Sequence, residues 1–177
     1  MTALHGLDLL DESLDAADAA IAAAAGAPHH LPTPCREWDL GVLVRHLADS
    51  ARALHELISG SPQGPPPLPG CSAAQAAIME LGELAASASR EDPQVALTAL
   101  TGSYELVVHA WDISEALSSS CPVSPTLASE LLSLAPVVLA HGQRQGLFAP
   151  ALEPGAGQSD LERLVGIFGR SSGWRAG

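Results

Sequence analysis

The sequence VALTALTGSYELVVHAWDISEAL, residues 95–117, has the pattern of a helix that is buried on almost every side. At about 100° per residue, its aliphatic and aromatic side chains cover most of the circumference, as in a helix that packs inside a protein. One narrow stripe stays polar and carries Glu105, His109 and Asp112. The pattern therefore predicts a buried helix that brings polar side chains into the interior.

The rest of the chain has the periodicity and the end signals of further helices. Apolar residues at steps of three and four predict two helices in the first third of the chain. Capping signals mark the starts of later ones: Ser72 with Gln75, Ser124 before Pro125, and Ser159 with Glu162. We therefore predict six helices, over residues 7–24, 38–58, 72–88, 95–117, 124–142 and 159–169.

Long helices joined by short or proline-rich connections predict an all-α protein built as an antiparallel bundle. The connection SPQGPPPLPG, residues 61–70, cannot continue a helix because proline lacks the amide donor and clashes with the preceding turn. The segment from about 143 to 177 is expected to pack on the bundle. We expect one domain over residues 1–177, because a chain with 47% hydrophobic residues can bury a single core.

The composition excludes several classes of protein. A formal net charge of -12 would repel a nucleic-acid backbone. The absence of lysine excludes a Schiff-base lysine and the lysine of a phosphate-binding loop. Three widely spaced cysteines form neither a disulfide framework nor a CxxC motif, which favours a reducing, cytoplasmic setting. Acidic residues interrupt the first helix, so we expect no export signal and no membrane-spanning segment.

The polar stripe contains a candidate metal site. Glu105 and His109 stand one turn apart, which places their Cβ atoms about 6 Å from each other and lets both side chains reach one ion. His46 lies at the edge of the apolar stripe of the second helix, from which it can point into the bundle. Two histidines and a carboxylate form a three-ligand set typical of catalytic divalent sites. The same spacing also fits a hydrogen-bonded core pair or a solvated ion pair, and His46 alone fits a boundary histidine.

Three nearby residues have both a functional and a structural interpretation. Asp49 and Asp112 each follow a candidate ligand histidine by three residues and could orient its imidazole ring, although we expect both at solvated helix positions. Cys35 precedes a helix start, where a thiol can have a low pKa. No histidine base accompanies it locally, so a structural cysteine is the favoured interpretation.

Three segments carry a resemblance to a known family. Residues 32–47 contain Thr-Pro-Cys, a tryptophan three positions after the cysteine and a closing His-Leu; residues 105–112 read ELVVHAWD; residues 144–150 read RQGLFAP and precede LERL and Gly-Arg within 161–170. These segments resemble actinobacterial DinB-like metal-binding proteins, including the amino-terminal domain of mycothiol-dependent maleylpyruvate isomerase. The resemblance covers nearly the whole chain. It implies that His46, Glu105 and His109 are the metal ligands.

The resemblance also implies a fold and an activity. The fold would be a DinB-like antiparallel four-helix bundle with a short C-terminal helical extension. The activity would be that of a divalent-metal-dependent enzyme that uses a low-molecular-weight thiol, with mycothiol expected in an actinobacterial host. The thiol would be transferred to a small electrophilic metabolite or would catalyse its cis-trans isomerisation. Zinc is the first candidate metal, and nickel, iron or manganese also suits this ligand set.

Two departures from the family pattern leave other functions open. The loop at 88–93 is short, and Ile113-Ser114-Glu115 replaces a segment that usually contains arginine. A thiol-independent metal-dependent hydrolase, lyase or isomerase is therefore one alternative. A non-catalytic binding module braced by the metal is another. In each case we expect a small-molecule ligand and no nucleic-acid or membrane partner, and the sequence leaves a homodimer open.

Overall fold

The computed structural model describes residues 6–66, 68–141 and 149–175, which form six α-helices and no β-strand. The helices are α1 (Gly6–Ala24), α2 (Leu40–Ser59), α3 (Cys71–Ser87), α4 (Pro93–Ala116), α5 (Pro125–His141) and α6 (Asp160–Ile167). The predicted all-α class is confirmed. Each predicted helix is present, and each predicted end that falls on a described residue lies within two residues of the observed one.

Side chains that accept hydrogen bonds from backbone amides explain several helix starts. The Asp39 side chain accepts from the amide of Val42 at 2.8 Å, so α2 begins after Asp39. The hydroxyl of Ser124 accepts from the third residue of α5 at 3.1 Å. Ser159 and Glu162 form the predicted capping box at the start of α6.

The capping box predicted from Ser72 and Gln75 is wrong. α3 begins one residue earlier, after Gly70, and no side chain caps it. The Gln75 side chain instead donates to Asp18 on α1 at 3.0 Å. Gln75 therefore makes a contact between two helices instead of capping the start of α3.

The first four helices pack around a common core. α1 contacts α3 and α4, and α2 contacts the same two helices, so the four form a closed ring of neighbours. α5 contacts α1, α4 and α6. All six helices contribute to the largest fully buried side chains, α3 and α6 with one each: Leu10, Ile21, Leu40, Leu43, Leu47, Leu81, Leu100, Leu106, Ile113, Leu127, Leu131 and Leu164.

Contacts along α2 and α4 show that these two helices run antiparallel. Successive turns of α2 meet α4 positions of decreasing residue number, through the pairs His46 with His109, Ser50 with Glu105, and Leu54 with Gly102. The two side chains of each pair therefore lie at the same level along the two helices. This arrangement positions the polar stripe of α4 against α2.

The contact between Leu54 of α2 and Gly102 of α4 predicts an effect on stability. Gly102→Ala is expected to lower the free energy of unfolding by about 1–3 kcal/mol, because a Cβ at position 102 would lie 2.6 Å from Cδ1 of the buried Leu54. Gly82→Ala in α3 is the matched control, since its Cβ would lie 3.7 Å from Cδ1 of Leu14, an ordinary contact. The control should gain about 0.5–1 kcal/mol from helix propensity. Urea unfolding followed by circular dichroism measures both, and equal stability of the two variants would contradict the close contact.

Some predictions fall on residues outside the described ranges. Residues 142–148 include Gly142, the predicted end of the fifth helix, and most of the RQGLFAP segment. The predicted start of the C-terminal extension near 143 lies there as well. Within the described ranges, no helix combines the length and apolarity needed to cross a bilayer.

Candidate metal centre

Three side chains from α2 and α4 meet at one point. His46 Nε2 lies 2.5 Å from Oε1 of Glu105, and His109 Nε2 lies 3.4 Å from the same oxygen. The three ligand atoms all lie within 4.8 Å of one another. The structure therefore brings together the three residues that the sequence singled out as candidate ligands.

This donor set fits a divalent cation. In a tetrahedral zinc site with bonds of about 2.0–2.1 Å, neighbouring ligand atoms lie about 3.4 Å apart. Nε2 of His109 and Oε1 of Glu105 already have that separation. His46 and Glu105 are closer because they share a hydrogen bond, which a bound cation would replace. Two imidazole nitrogens and one carboxylate oxygen are compatible with zinc, nickel, iron or manganese.

The two histidines keep the carboxylate of Glu105 ionised. Burial alone would raise the pKa of Glu105, but hydrogen bonds from His109 and His46 outweigh burial and hold the pKa well below its usual range. Ser50 Oγ donates a further hydrogen bond to Oε1 at 3.1 Å. Among the ion pairs of the described residues, Glu105 pairs with the two histidines and with no arginine. Its negative charge is therefore available to a cation.

A buried aspartate, Asp112, forms a hydrogen bond with the second ring nitrogen of His109. Oδ2 of Asp112, a residue with no exposed surface, lies 2.9 Å from Nδ1 of His109. Nη2 of Arg170 donates to the same oxygen at 2.8 Å. The expectation that Asp112 is solvated is therefore wrong, because His109 and Arg170 replace water around its carboxylate. Asp49, in contrast, is exposed as expected.

The acids on either side of His109 set its protonation state. Burial alone would lower the pKa of His109, but hydrogen bonds to Asp112 and Glu105 raise the pKa to about 9. Because Nδ1 donates to Asp112, Nε2 is the nitrogen directed at Glu105. Nε2 is therefore the atom that would bind a cation, the arrangement usual for histidine ligands held by a carboxylate.

We expect binding of Zn²⁺ to release a proton from His109. At pH 7.5 the imidazole of the metal-free protein is protonated, since its pKa is about 9, and a metal ligand must be neutral. The apparent affinity should therefore rise by up to about tenfold per pH unit from pH 7 to 9. Titration calorimetry at pH 7.5 in buffers with different ionisation enthalpies measures the protons released, with zinc binding to a chelator as control. A heat of binding independent of the buffer would contradict the prediction.

Trp38 covers the two histidine rings on one side. Its ring centroid lies 4.3 Å from that of His46 and 5.8 Å from that of His109. The hydroxyl of Thr33 donates to the carbonyl of Trp38 at 2.8 Å and so holds the loop before α2 in place. The side chains of His46 and Glu105 are 31% and 24% exposed, whereas that of His109 is 6% exposed. The centre is therefore closed around His109 and open to solvent at the other two residues.

One family model matches this chain. The model described as "Mycothiol maleylpyruvate isomerase N-terminal domain" matches residues 10–112, which is more than half of the chain. The chain belongs to this family. The three candidate ligands, His46, Glu105 and His109, all lie inside the matched residues, and the match ends at Asp112. Comparisons with curated proteins and with solved structures gave no match.

Sequence reasoning missed three residues around the centre: Ser50 and Trp38, which contact its side chains, and Arg170, which contacts Asp112. Ser50 follows His46 by one helical turn, so the spacing alone could have indicated it. Arg170 lies beyond the residues matched by the mycothiol maleylpyruvate isomerase N-terminal domain. Its place in the closing Gly-Arg gives no sign of this contact, and no spacing rule connects position 170 with Asp112.

The surroundings of Cys35 support the interpretation that it is a structural residue. Burial raises the pKa of its thiol above the ordinary value, although Arg170 opposes that shift. The amide of Cys35 donates to the hydroxyl of Thr33 at 3.2 Å, within the loop that carries Trp38. The residue does not have the lowered pKa that would mark a reactive thiol.

Proposed function

We propose that this chain is a divalent-metal-dependent enzyme that uses mycothiol as a low-molecular-weight thiol, with zinc as the first candidate metal. The observation that carries the proposal is the meeting of His46, Glu105 and His109 at a partly open position. Membership in a family named for a mycothiol isomerase domain supports the choice of thiol. The exposure of His46 and Glu105 favours a catalytic centre over a closed structural one, because a catalytic centre needs an accessible coordination position.

The proposed chemistry needs a thiolate at neutral pH. A divalent cation bound here would lower the pKa of a thiol bound to it. His46, Glu105 and His109 would hold the cation, while Trp38 and the buried ring of His109 exclude water from the closed side. Thiol and substrate would enter from the side on which Glu105 and His46 are exposed.

We propose that the thiolate adds to an electrophilic carbon of a small metabolite. The sulfur–carbon bond forms as the electron pair of the substrate double bond moves to the neighbouring carbon. Protonation of that carbon gives an S-conjugate. Where that carbon is not protonated, rotation about the resulting single bond is followed by return of its electron pair. This return re-forms the double bond, breaks the sulfur–carbon bond, and gives the cis-trans isomer and the free thiolate. Both outcomes require the same addition step.

We also propose that α1–α4 form a DinB-like antiparallel four-helix bundle within a single domain over residues 1–177, with the C-terminal segment as an extension. The closed ring of contacts among the four helices and the antiparallel α2–α4 pair support this arrangement. A small-molecule substrate, a cytoplasmic location and the absence of a nucleic-acid partner agree with the net charge of -12 and the three unpaired cysteines.

Cobalt-substituted protein tests thiol binding without knowledge of the substrate. Addition of mycothiol to the Co²⁺ protein should produce a near-ultraviolet sulfur-to-cobalt charge-transfer band, because the sulfur would enter the open coordination position. An oxygen analogue of the thiol is the control and should produce no such band. A spectrum unchanged by saturating mycothiol would contradict the thiol while leaving the metal centre intact.

Turnover assays separate the remaining functions. Zinc-loaded protein is incubated with electrophilic alkenes, with and without mycothiol, and the products are identified by NMR. We expect an S-conjugate or an isomer only when the thiol is present. Turnover that does not depend on thiol would support the hydrolase, lyase or isomerase alternative. No turnover, together with unfolding on chelation and no exchangeable coordination position, would support a metal-braced binding module.

A further inference from the structure

Arg170, which follows α6, pairs with Asp112, the residue that bonds the ring of His109. Its Nη2 donates to Oδ2 of Asp112 at 2.8 Å, and its Nε lies 3.3 Å from both carboxylate oxygens. Nη1 donates to the carbonyl of Phe168 at 3.0 Å, which fixes the plane of the guanidinium. Arg170 is 9% exposed and Asp112 is fully buried. This is the forked pairing in which arginine holds a carboxylate in one orientation.

The backbone conformation after α6 places the side chain of Arg170 against Asp112. Gly169 has a φ of 80°, a left-handed conformation that L side chains rarely adopt, and a Cβ there would lie 2.5 Å from the Cβ of Ala149. The amide of Arg170 then bonds the carbonyl of Val165 at 3.0 Å. The ring of Phe168 packs 5.6 Å from that of Tyr104 on α4. The segment is therefore anchored on α4 both at Tyr104 and at Asp112.

A single oxygen atom connects Arg170 to His109. Oδ2 of Asp112 accepts from Nδ1 of His109 and from Nη2 of Arg170. The guanidinium compensates the charge of the buried carboxylate and prevents its rotation, so that the carboxylate can only accept from Nδ1. Nε2 of His109 is thereby held toward Glu105.

We propose that Arg170 is a positioning residue of the metal centre, and that the C-terminal segment is therefore part of that centre. The proposal rests on the proposed metal-binding function and goes beyond the family match, which ends at residue 112. Arg170 acts through Asp112 on the orientation of a ligand ring. Loss of such outer-shell partners typically weakens metal binding by about 10–100-fold.

The test uses Arg170→Gln and Arg170→Lys in the full chain, with Arg163→Gln as matched control. Arg163 is an exposed arginine of α6 that pairs with Asp160. The first measurement is the affinity for Zn²⁺ by competition with a chelator. The second is the exchange-protected Nδ1–H resonance of His109 in metal-free protein labelled with ¹⁵N-histidine, assigned by its absence from His109→Gln.

We expect Arg170→Gln to bind zinc about 10–100-fold more weakly and to lose protection of the Nδ1 proton. Arg170→Lys should be intermediate, since it keeps the charge without the fork, and Arg163→Gln should match the unmodified protein. A folded Arg170→Gln with unchanged affinity and an unchanged resonance would overturn the proposal. If Arg170→Gln does not fold, an unchanged resonance and affinity in Arg170→Lys would overturn it.

The two measurements also separate this inference from the proposed function. Failure of the unmodified protein to bind zinc would refute the metal centre and with it the role of Arg170 there. Loss of the Nδ1–H resonance in metal-free Arg170→Gln would still report whether Arg170 positions His109. A normal resonance in that variant, combined with normal zinc binding by the unmodified protein, would refute the positioning role alone.

Discussion

Replacement of Glu105 by glutamine is expected to weaken Zn²⁺ binding by more than about 100-fold, the upper range seen when only an outer-shell partner is removed. The substitution keeps the shape of the side chain but removes the only carboxylate among the three ligand residues. A neutral amide oxygen binds a cation far less well than a carboxylate, and the two histidines lose the shared acceptor that holds them together. Competition with a chelator measures the affinity, and circular dichroism checks the fold.

Glu80→Gln is the matched control for this substitution. Glu80 is an exposed glutamate of α3, so its replacement should change neither zinc affinity nor helix content. The quenching of Trp38 fluorescence by bound Ni²⁺ offers a second readout, because the indole ring lies 4.3 Å from that of His46. Stoichiometric binding by Glu105→Gln with unchanged affinity would exclude Glu105 as a ligand.

Replacement of Asp112 by alanine is expected to lower the free energy of unfolding by about 3–5 kcal/mol, the usual cost of leaving a buried charge without its partner. Arg170 would lose its carboxylate partner at 9% exposure, and Nδ1 of His109 would lose its acceptor. The exposed Asp49 is the control, and Asp49→Ala should change the free energy of unfolding by no more than about 0.5 kcal/mol. Urea unfolding of the metal-free proteins measures both.

A double variant separates stability from positioning. Asp112→Leu with Arg170→Met replaces the buried ion pair by apolar side chains, which in other proteins is often neutral or stabilising. We expect the double variant to recover much of the stability lost in Asp112→Ala. Zinc affinity should stay low, because no carboxylate then holds Nδ1 of His109. Recovery of both quantities would show that Asp112 contributes packing alone.

The pattern of α4 explains why the fold was predictable. Apolar side chains on nearly every side of that helix left only a central position for it, and the structure buries residues along most of its length. Periodicity and capping in the other segments are local signals, so they located the helices to within two residues. The exception at Ser72 arose where Asp18 on another helix bonded Gln75, a contact that no local pattern contains.

The candidate site was predictable only in part, because some of its contacts join residues that are far apart in the sequence. Helical spacing joined Glu105 with His109, but the family resemblance was needed to choose His46, which meets Glu105 across 59 residues of sequence. Asp112 was expected to be solvated because its buried partner lies 58 residues further on. Position 170 is joined to the site by tertiary packing alone, which one sequence does not reveal.

The proposed function depends on one claim, that His46, Glu105 and His109 share a divalent cation. Anomalous X-ray diffraction at the absorption edge of the metal found in the purified protein tests that claim most directly. We expect one anomalous peak about 2.0–2.2 Å from Nε2 of His46, a carboxylate oxygen of Glu105 and Nε2 of His109. A peak elsewhere, or a metal-free site that keeps the hydrogen bond between His46 and Glu105 after soaking in Zn²⁺, would contradict the account.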